Sequence, residues 1–308
     1  MNYFDLHCDT ISECYGKGQP LYNGNLRISL ERGRKYSPWF QCFALWISDD
    51  KRGRDAMDSF DALLDCFHRE MEKNADAVVF CRTAADLKAV REQKKTGAIL
   101  TVEGGAAAGG SLDRLKYMAD CGVKVITLTW NASGDFGDGA GVPSPKGITE
   151  FGRLAVKEME RLHIAVDVSH ASEKLFYDVA ACTEKPFIAT HSNARALCDH
   201  PRNLTDEQFQ VIRDRGGLVG VTFVPKFLNA SGKAGIDDVI RHIDHFLSLG
   251  GEKCLAFGSD FDGADVPGGI TGIESVEAIA ERMLRHNYRE SLVNALLFEN
   301  AYQFFLSL

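Results

Sequence analysis

No run of the 308-residue chain reaches the roughly 18 uninterrupted apolar residues that a membrane-spanning helix needs. The start, Met1-Asn2-Tyr3-Phe4-Asp5, lacks the basic head and apolar stretch of a secretory signal. No C-x-x-C pair occurs; nine cysteines, an odd number, lie scattered at positions 8, 14, 42, 66, 81, 121, 182, 198 and 254. That spacing argues against a disulfide framework and makes reduced, mostly buried thiols the expectation. Long basic runs are absent too, none exceeding Lys94-Lys95 or Arg32-Gly-Arg34-Lys35, and 43 acidic against 35 basic residues give a formal net charge of −8. Electrostatic wrapping of nucleic acid is thereby disfavoured. Repeats, low-complexity tracts and linkers are missing as well. The expectation is a soluble cytoplasmic protein, a single domain over residues 1–308, with neither nucleic acid nor membrane as partner.

What is present is ordinary globular material, 45% hydrophobic and 25% charged, enough for a large core. Short apolar, β-rich runs alternate with longer amphipathic ones. Eight strands are predicted, over 4–9, 39–47, 98–103, 123–129, 164–168, 187–190, 218–222 and 255–258. Helical patterns fall between them, over 56–73, 112–121, 151–162, 172–182, 206–215, 237–249 and 275–286, the second with Ser111 as N-cap and Gly122 just past its end. A further strand over 78–81 and a helix over 84–95 look like a small insertion between strands two and three. Several strands are continuous apolar runs, as expected where helices cover both faces of a parallel sheet. This alternation favours an α/β fold of the (β/α)8 TIM barrel type over a doubly wound sheet.

In such a barrel, chemistry is built at the C-terminal strand ends. Five of these carry metal-ligand side chains: His7 and Asp9 on the first, Glu103 on the third, His170 after the fifth, His191 after the sixth and Asp260 after the eighth. His7 and Asp9, two residues apart, share a strand face while Cys8 points away. Three imidazoles with these carboxylates exceed the needs of one tetrahedral zinc and suit two ions with a bridging carboxylate. Glu103, on a central strand, is the best-placed bridge.

The motifs Asp5-Leu-His-Cys-Asp9, Thr101-Val-Glu-Gly-Gly105, Leu128-Thr-Trp-Asn131, Asp167-Val-Ser-His170, His191-Ser-Asn193, His200-Pro-Arg-Asn203 and Gly258-Ser-Asp-Phe-Asp-Gly263 together resemble the membrane (renal) dipeptidase family of zinc metallopeptidases in its shorter bacterial form, from residue 4 to about 300. The resemblance implies an amidohydrolase-like barrel with two zinc ions, cleaving dipeptides that have a free amino terminus and tolerating a D-residue at the carboxyl-terminal position, with a metal-bridging hydroxide as nucleophile. It implies that His7 and Asp9 bind one zinc, His170 and His191 the other, and that Glu103 bridges. Arg202 matches the residue that grips the substrate carboxylate, for which a planar guanidinium fork is apt. Asp260 matches the acid that moves the proton from water to the leaving nitrogen. Asp262 is better read as a loop-capping carboxylate. The family also points to a homodimer, though no seam is visible in the residues.

One position departs from the family. Trp130 stands where the mammalian enzymes carry a histidine that steadies the oxyanion, and an indole has one N–H donor but carries no proton at neutral pH. Either a neighbour such as Asn131 supplies a donor, or Trp130 walls the substrate pocket. An N-acyl amino acid or other small-amide hydrolase on the same metal site, and a metal-binding protein without turnover, are the alternatives. The remaining histidines, including His242 and His245 at i, i+3 on one helix, and Asp135 and Asp138 in a Gly-rich loop, read as structural.

Overall fold

The computed structural model describes residues 1–308. Its strands are β1 (Tyr3–Asp5), β2 (Trp39–Trp46), β3 (Val78–Phe80), β4 (Thr96–Glu103), β5 (Val123–Thr127), β6 (Ala165–Asp167), β7 (Val219–Val221) and β8 (Leu255–Phe257). They form one curled, wholly parallel sheet in the order β6-β5-β4-β2-β1-β8-β7, with β3 paired to the start of β4. Because all strands run the same way, their C-terminal ends share one rim.

The segment 187–190 lies between the free edges of β6 and β7, and isolated parallel bridges pair Asp167 with Ile188 and Ala189 with Val219. It is not the regular strand expected from its apolar run. Ile188 bonds the β6 side and Ala189 the β7 side, but the N–H of Thr190 goes to the Asp167 carboxylate at 2.9 Å instead of to a neighbouring carbonyl. β1 is cut short for the same reason: the N–H of His7 turns to the Asp5 carboxylate at 3.3 Å. In both places a side chain replaces a ladder bond just before a histidine.

Helices cover the outside: α1 (Thr10–Lys17), α2 (Gly53–Lys73), α3 (Ala84–Gln93), α4 (Leu112–Asp120), α5 (Glu150–Arg161), α6 (Glu173–Cys182), α7 (Asp206–Asp214), α8 (Ile236–Ser248) and α9 (Glu277–Arg285). Ser111, Ser172 and Thr205 cap α4, α6 and α7 by accepting from backbone N–H groups in the first turn. Gly122 follows α4 at φ 95°, a conformation that favours glycine. No helix is long and apolar enough to cross a membrane.

The core divides in two. A large cluster joins sheet and helices, and a smaller one gathers Phe4, Phe40, Ile99, Val125, Ala165, Ile188, Leu218 and Ala256, drawing on each of β1, β2, β4, β5, β6, the 187–190 segment, the residue before β7, and β8. That composition places the small cluster inside the curl. It is closed by a C-terminal helical segment, Glu290–Asn294, Ala295–Glu299 (π-helical) and Asn300–Ser307, which the sequence reading did not predict. Phe305 stacks on Phe4 at 5.1 Å and Phe4 on Phe40 at 5.3 Å. The interior is thus packed with side chains below and open to chemistry only at the rim.

Candidate metal centre and substrate cavity

Two buried aspartates at strand ends set the site. Asp5 accepts from the N–H of His7, from the N–H of Ser259 at 2.8 Å and from Ser259 Oγ at 2.6 Å, pegging the end of β1 to that of β8. Burial pushes its carboxyl up to about 6, against the pull of the Ser259 and His7 hydrogen bonds. Asp167 does the same on the far side, accepting from Ser169 N and Oγ, from Thr190 N and Oγ1, and from Thr127 Oγ1. It joins β5, β6 and the 187–190 segment under His170 and His191.

Between these pegs stands Glu103, 3% exposed, at the end of β4. Its Oε1 lies 2.7 Å from His170 Nε2 and 3.6 Å from His191 Nε2, while its Oε2 lies 3.5 Å from His7 Nε2. His7 Nε2 is also 3.4 Å from Asp9 Oδ2 and 3.9 Å from Asp260 Oδ1. The Nε2 atoms of His170 and His191 are 2.9 Å apart. All five proposed ligands therefore converge, with the two oxygens of Glu103 facing opposite groups.

The backs of the two later imidazoles are occupied. Thr190 Oγ1 donates its one hydrogen to Asp167 Oδ2 at 2.6 Å, so at its 2.8 Å contact with His191 Nδ1 it accepts from the ring. His170 Nδ1 stands 3.1 Å from Asn131 Oδ1, likewise an acceptor. Both rings carry their hydrogen on Nδ1 and turn a free Nε2 lone pair to Glu103, the tautomer a metal ligand requires. Burial, then the Arg202 charge, lowers His170 to about 4; burial, then His7 and Arg202, lowers His191 well below its ordinary range. Both are neutral.

The other side carries excess negative charge. Asp9 is raised by burial and by Glu103, and Asp260 by burial and by Glu103 against the pull of His7. Burial opposes a charge on His7, but Glu103 and Asp9 outweigh it and raise the imidazole. His7 Nε2 and Asp9 Oδ1 are buried without a hydrogen-bond partner. Three carboxylates around one imidazole, with orphaned polar atoms among them, fit a cation. His7, Glu103 and His191 form one group of converging ligand atoms, and His7, Asp9 and Asp260 another. Asp260 holds its place at φ 60°, an unusual value for a non-glycine residue, and Gly263 passes so close beneath that a side chain there would strike Asp9 and Asp260.

Of these groups Asp9, Glu103, His170 and Asp260 line a cavity of about 560 Å³ at the rim, the size of a small-ligand site. Arg202, 5% exposed, faces it from the far wall, with Nη1 donating to the Ser169 carbonyl and Nε and Nη2 unpartnered. Trp130 forms part of the wall, edge-to-face on Trp46 at 5.1 Å and 6.3 Å from His170. Asn131 also lines it, although its amide oxygen is engaged by His170. Asp262 serves as a peg, accepting from Thr10 Oγ1 and the N–H groups of Arg27 and Ile28. His242 and His245 bond separately, to Ala194 N and the Leu228 carbonyl and to Asp206.

Sequence reasoning missed Asp5, Asp167, Thr190 and Asp49, whose carboxylate accepts from the N–H groups of Asn131 and Ala132 at 3.1 and 2.9 Å. The first two had a signal: a carboxylate ending an otherwise apolar strand two or three residues before a site histidine, in Asp5-Leu-His7 and Asp167-Val-Ser-His170.

Comparison with known proteins gives the family and the fold. Residues 1–306 match the model of the family described as membrane dipeptidase (Peptidase family M19). A metallopeptidase of Rhodobacter sphaeroides, solved with a phosphinate mimic of the dipeptide L-Ala-D-Ala, is 31% identical and superposes with a TM-score of 0.92 over 99% of this chain and 98% of its own. A probable dipeptidase of Pseudomonas aeruginosa, 20% identical, shares the fold with a TM-score of 0.90 over 99% of this chain and 95% of its own. An uncharacterized Klebsiella pneumoniae protein from the pqqA 5′ region is 35% identical over 74% of this chain and 88% of its own length. The chain belongs to the membrane dipeptidase family, peptidase family M19, and is a metal-dependent hydrolase.

Proposed function

We propose that this protein is a binuclear zinc dipeptidase, cleaving the peptide bond of dipeptides whose amino and carboxyl termini are both free. The observation that carries the reading is Glu103, whose two oxygens divide between His7 and the His170–His191 pair. His7 and Asp9 would hold one ion, His170 and His191 the other, and Glu103 both. Bound there, two metal ions polarise a carbonyl and activate water. The remaining work falls to the chain. Arg202 presents Nε and Nη2, adjacent donors on one edge of the guanidinium, to the substrate carboxylate. Asp260, buried and raised in pKa, takes the proton of the attacking water and delivers it to the leaving nitrogen. Trp130 and Asn131 border the substrate.

Tolerance of a D-residue at the carboxyl-terminal position draws support from the L-Ala-D-Ala mimic bound by the Rhodobacter sphaeroides metallopeptidase. We read the fold as a single-domain (β/α)8 barrel over residues 1–308, with β3 and α3 as an insertion, acting as a homodimer. Nine free cysteines suit a reducing, cytoplasmic setting.

The test is amino acid release from a dipeptide panel that includes L-Ala-D-Ala and N-acetylated counterparts, by zinc-loaded protein, with His191→Ala as control. Turnover of free dipeptides only, lost in the variant, is the expected result. Cleavage of blocked substrates alone would move the protein to N-acyl amino acid hydrolysis. Two bound zinc ions without turnover would leave a binding protein.

A further inference from the structure

The cavity wall that carries Arg202 holds a second cation that the hydrolysis does not use. The loop containing Arg202 and the loop after β7 are tied together by Asn203, whose Nδ2 donates to the carbonyls of Cys198 and Phe227, both at 2.8 Å. The Phe227 ring then becomes a common platform. Arg202 Cζ lies 5.4 Å from its centroid, Lys226 Nζ 5.3 Å, and the His200 ring 4.5 Å. Arg202, Lys226 and His200 all line the cavity, and neither Arg202 nor Lys226 has a carboxylate partner among the ion pairs of the protein. Lys226 is solvent-exposed and Arg202 buried, and together they give this wall a positive charge that an anion would balance.

The donor inventory shows how many anions are needed. One α-carboxylate with two oxygens consumes Nε and Nη2 of Arg202, and Nη1 already serves the Ser169 carbonyl. Nothing remains on Arg202 for another anion. His200 Nδ1 accepts from the N–H of Arg202 at 3.2 Å, which leaves Nε2–H as the ring's donor. Burial and the charges of Arg202, Lys226 and Arg195 keep that imidazole neutral. Lys226 and His200 thus offer unspent donors on the wall that carries Arg202, in the same cavity.

We propose that Lys226 Nζ and His200 Nε2–H form a second anion subsite, so that the preferred substrates are dipeptides whose carboxyl-terminal residue has an acidic side chain, aspartate or glutamate. This rests on the dipeptidase reading. The second anion belongs to the carboxyl-terminal residue because its neighbour, Arg202, holds that residue's α-carboxylate.

The experiment compares kcat/KM for L-Ala-Asp and L-Ala-Asn, near-isosteric and differing in charge, with the carboxyl-terminal residue in each stereochemistry, and L-Ala-Ala as reference. It uses zinc-loaded wild type, Lys226→Met and Lys226→Arg. The wild type should favour Asp over Asn by about tenfold, the scale of one partly screened ion pair. The ratio should fall to near one in Lys226→Met, persist in Lys226→Arg, and shrink in high salt. Turnover of L-Ala-Ala with an Asp/Asn ratio near one in the wild type would overturn the subsite and leave the dipeptidase standing. A high ratio unchanged in Lys226→Met would overturn it equally. Failure to turn over any dipeptide would remove the dipeptidase reading and the subsite with it.

Discussion

The two sides of Glu103 solve different problems. On the His170–His191 side, both rings are neutral, with their outer nitrogens bonded to Asn131 and to the Thr190–Asp167 pair. On the His7 side, no hydrogen bond holds the ring's outer Nδ1; instead Asp9 and Asp260 crowd its Nε2 and orphan polar atoms remain. One side is organised by hydrogen bonds before any cation arrives, the other by charge that only a cation balances. The difference teaches that metal binding and site assembly are separate events on one side and the same event on the other.

The harshest way to break this comparison is to remove what the sides share. On the binuclear reading proposed above, Glu103→Gln is expected to lose turnover by about a thousandfold or more, because both metal positions would depend on that carboxylate. Metal analysis after dialysis should show loss on both sides. Two retained ions would sink the shared role.

A finer cut removes only the support of the imidazole side. Asp167→Asn disturbs the acceptor that fixes Thr190 and hence the His191 tautomer. Metal affinity on that side should fall by about ten- to a hundredfold, the usual cost of losing an outer hydrogen-bond partner. A chelator titration should then strip one ion well before the other; simultaneous loss would show the sides to be coupled more tightly than their hydrogen bonds imply.

In metal-free protein the sides should also pull stability in opposite pH directions. His170 falls from its ordinary 6.5 to about 4, so its contribution is complete above pH 6.5 and lost as pH falls through that window. Asp5, beneath His7, rises from 3.8 to about 6, so its contribution is complete below pH 3.8 and lost as pH rises to about 6. Each carries about 3 kcal/mol at full extent, to order of magnitude. Thermal unfolding of apo-protein between pH 4 and 7 should show His170→Asn flattening the acid loss and Asp5→Asn the opposite slope, whatever their absolute stabilities. Equal slopes in both variants would refute the division.

Legibility in the sequence followed the same line. The candidate ligands were readable because rare side chains gather at strand ends, and His7, Asp9, Glu103, His170 and His191 come together in space. Most strands and the outer helices from α2 to α9 were readable from period and caps, to within a few residues, whereas α1 (Thr10–Lys17) was not predicted. The pegs Asp5 and Asp167 were harder, since a single buried aspartate in an apolar run has no periodicity. The 187–190 segment misled because its ladder is broken by a side chain 20 residues or more away in sequence. The C-terminal segment went unread because Phe298, Tyr302 and Phe305 are buried inside the curl of the sheet, and local pattern says nothing of that partner.

The gentlest probe asks whether the imidazole side does more than hold metal. Trp130 stands edge-to-face on Trp46 and borders His170, the arrangement of a packed wall. Trp130→Phe keeps an aromatic face and deletes the indole N–H. A wall predicts a rise of about three- to fivefold in KM with kcat nearly unchanged, since only part of the contact area is lost. An N–H aimed at the oxyanion predicts the reverse, a fall of about a hundredfold or more in kcat. The edge-to-face geometry favours the first outcome. It would confine transition-state stabilisation to the metal positions, Asp260 and the free amide nitrogen of Asn131, and leave Trp130 to shape what the cavity admits.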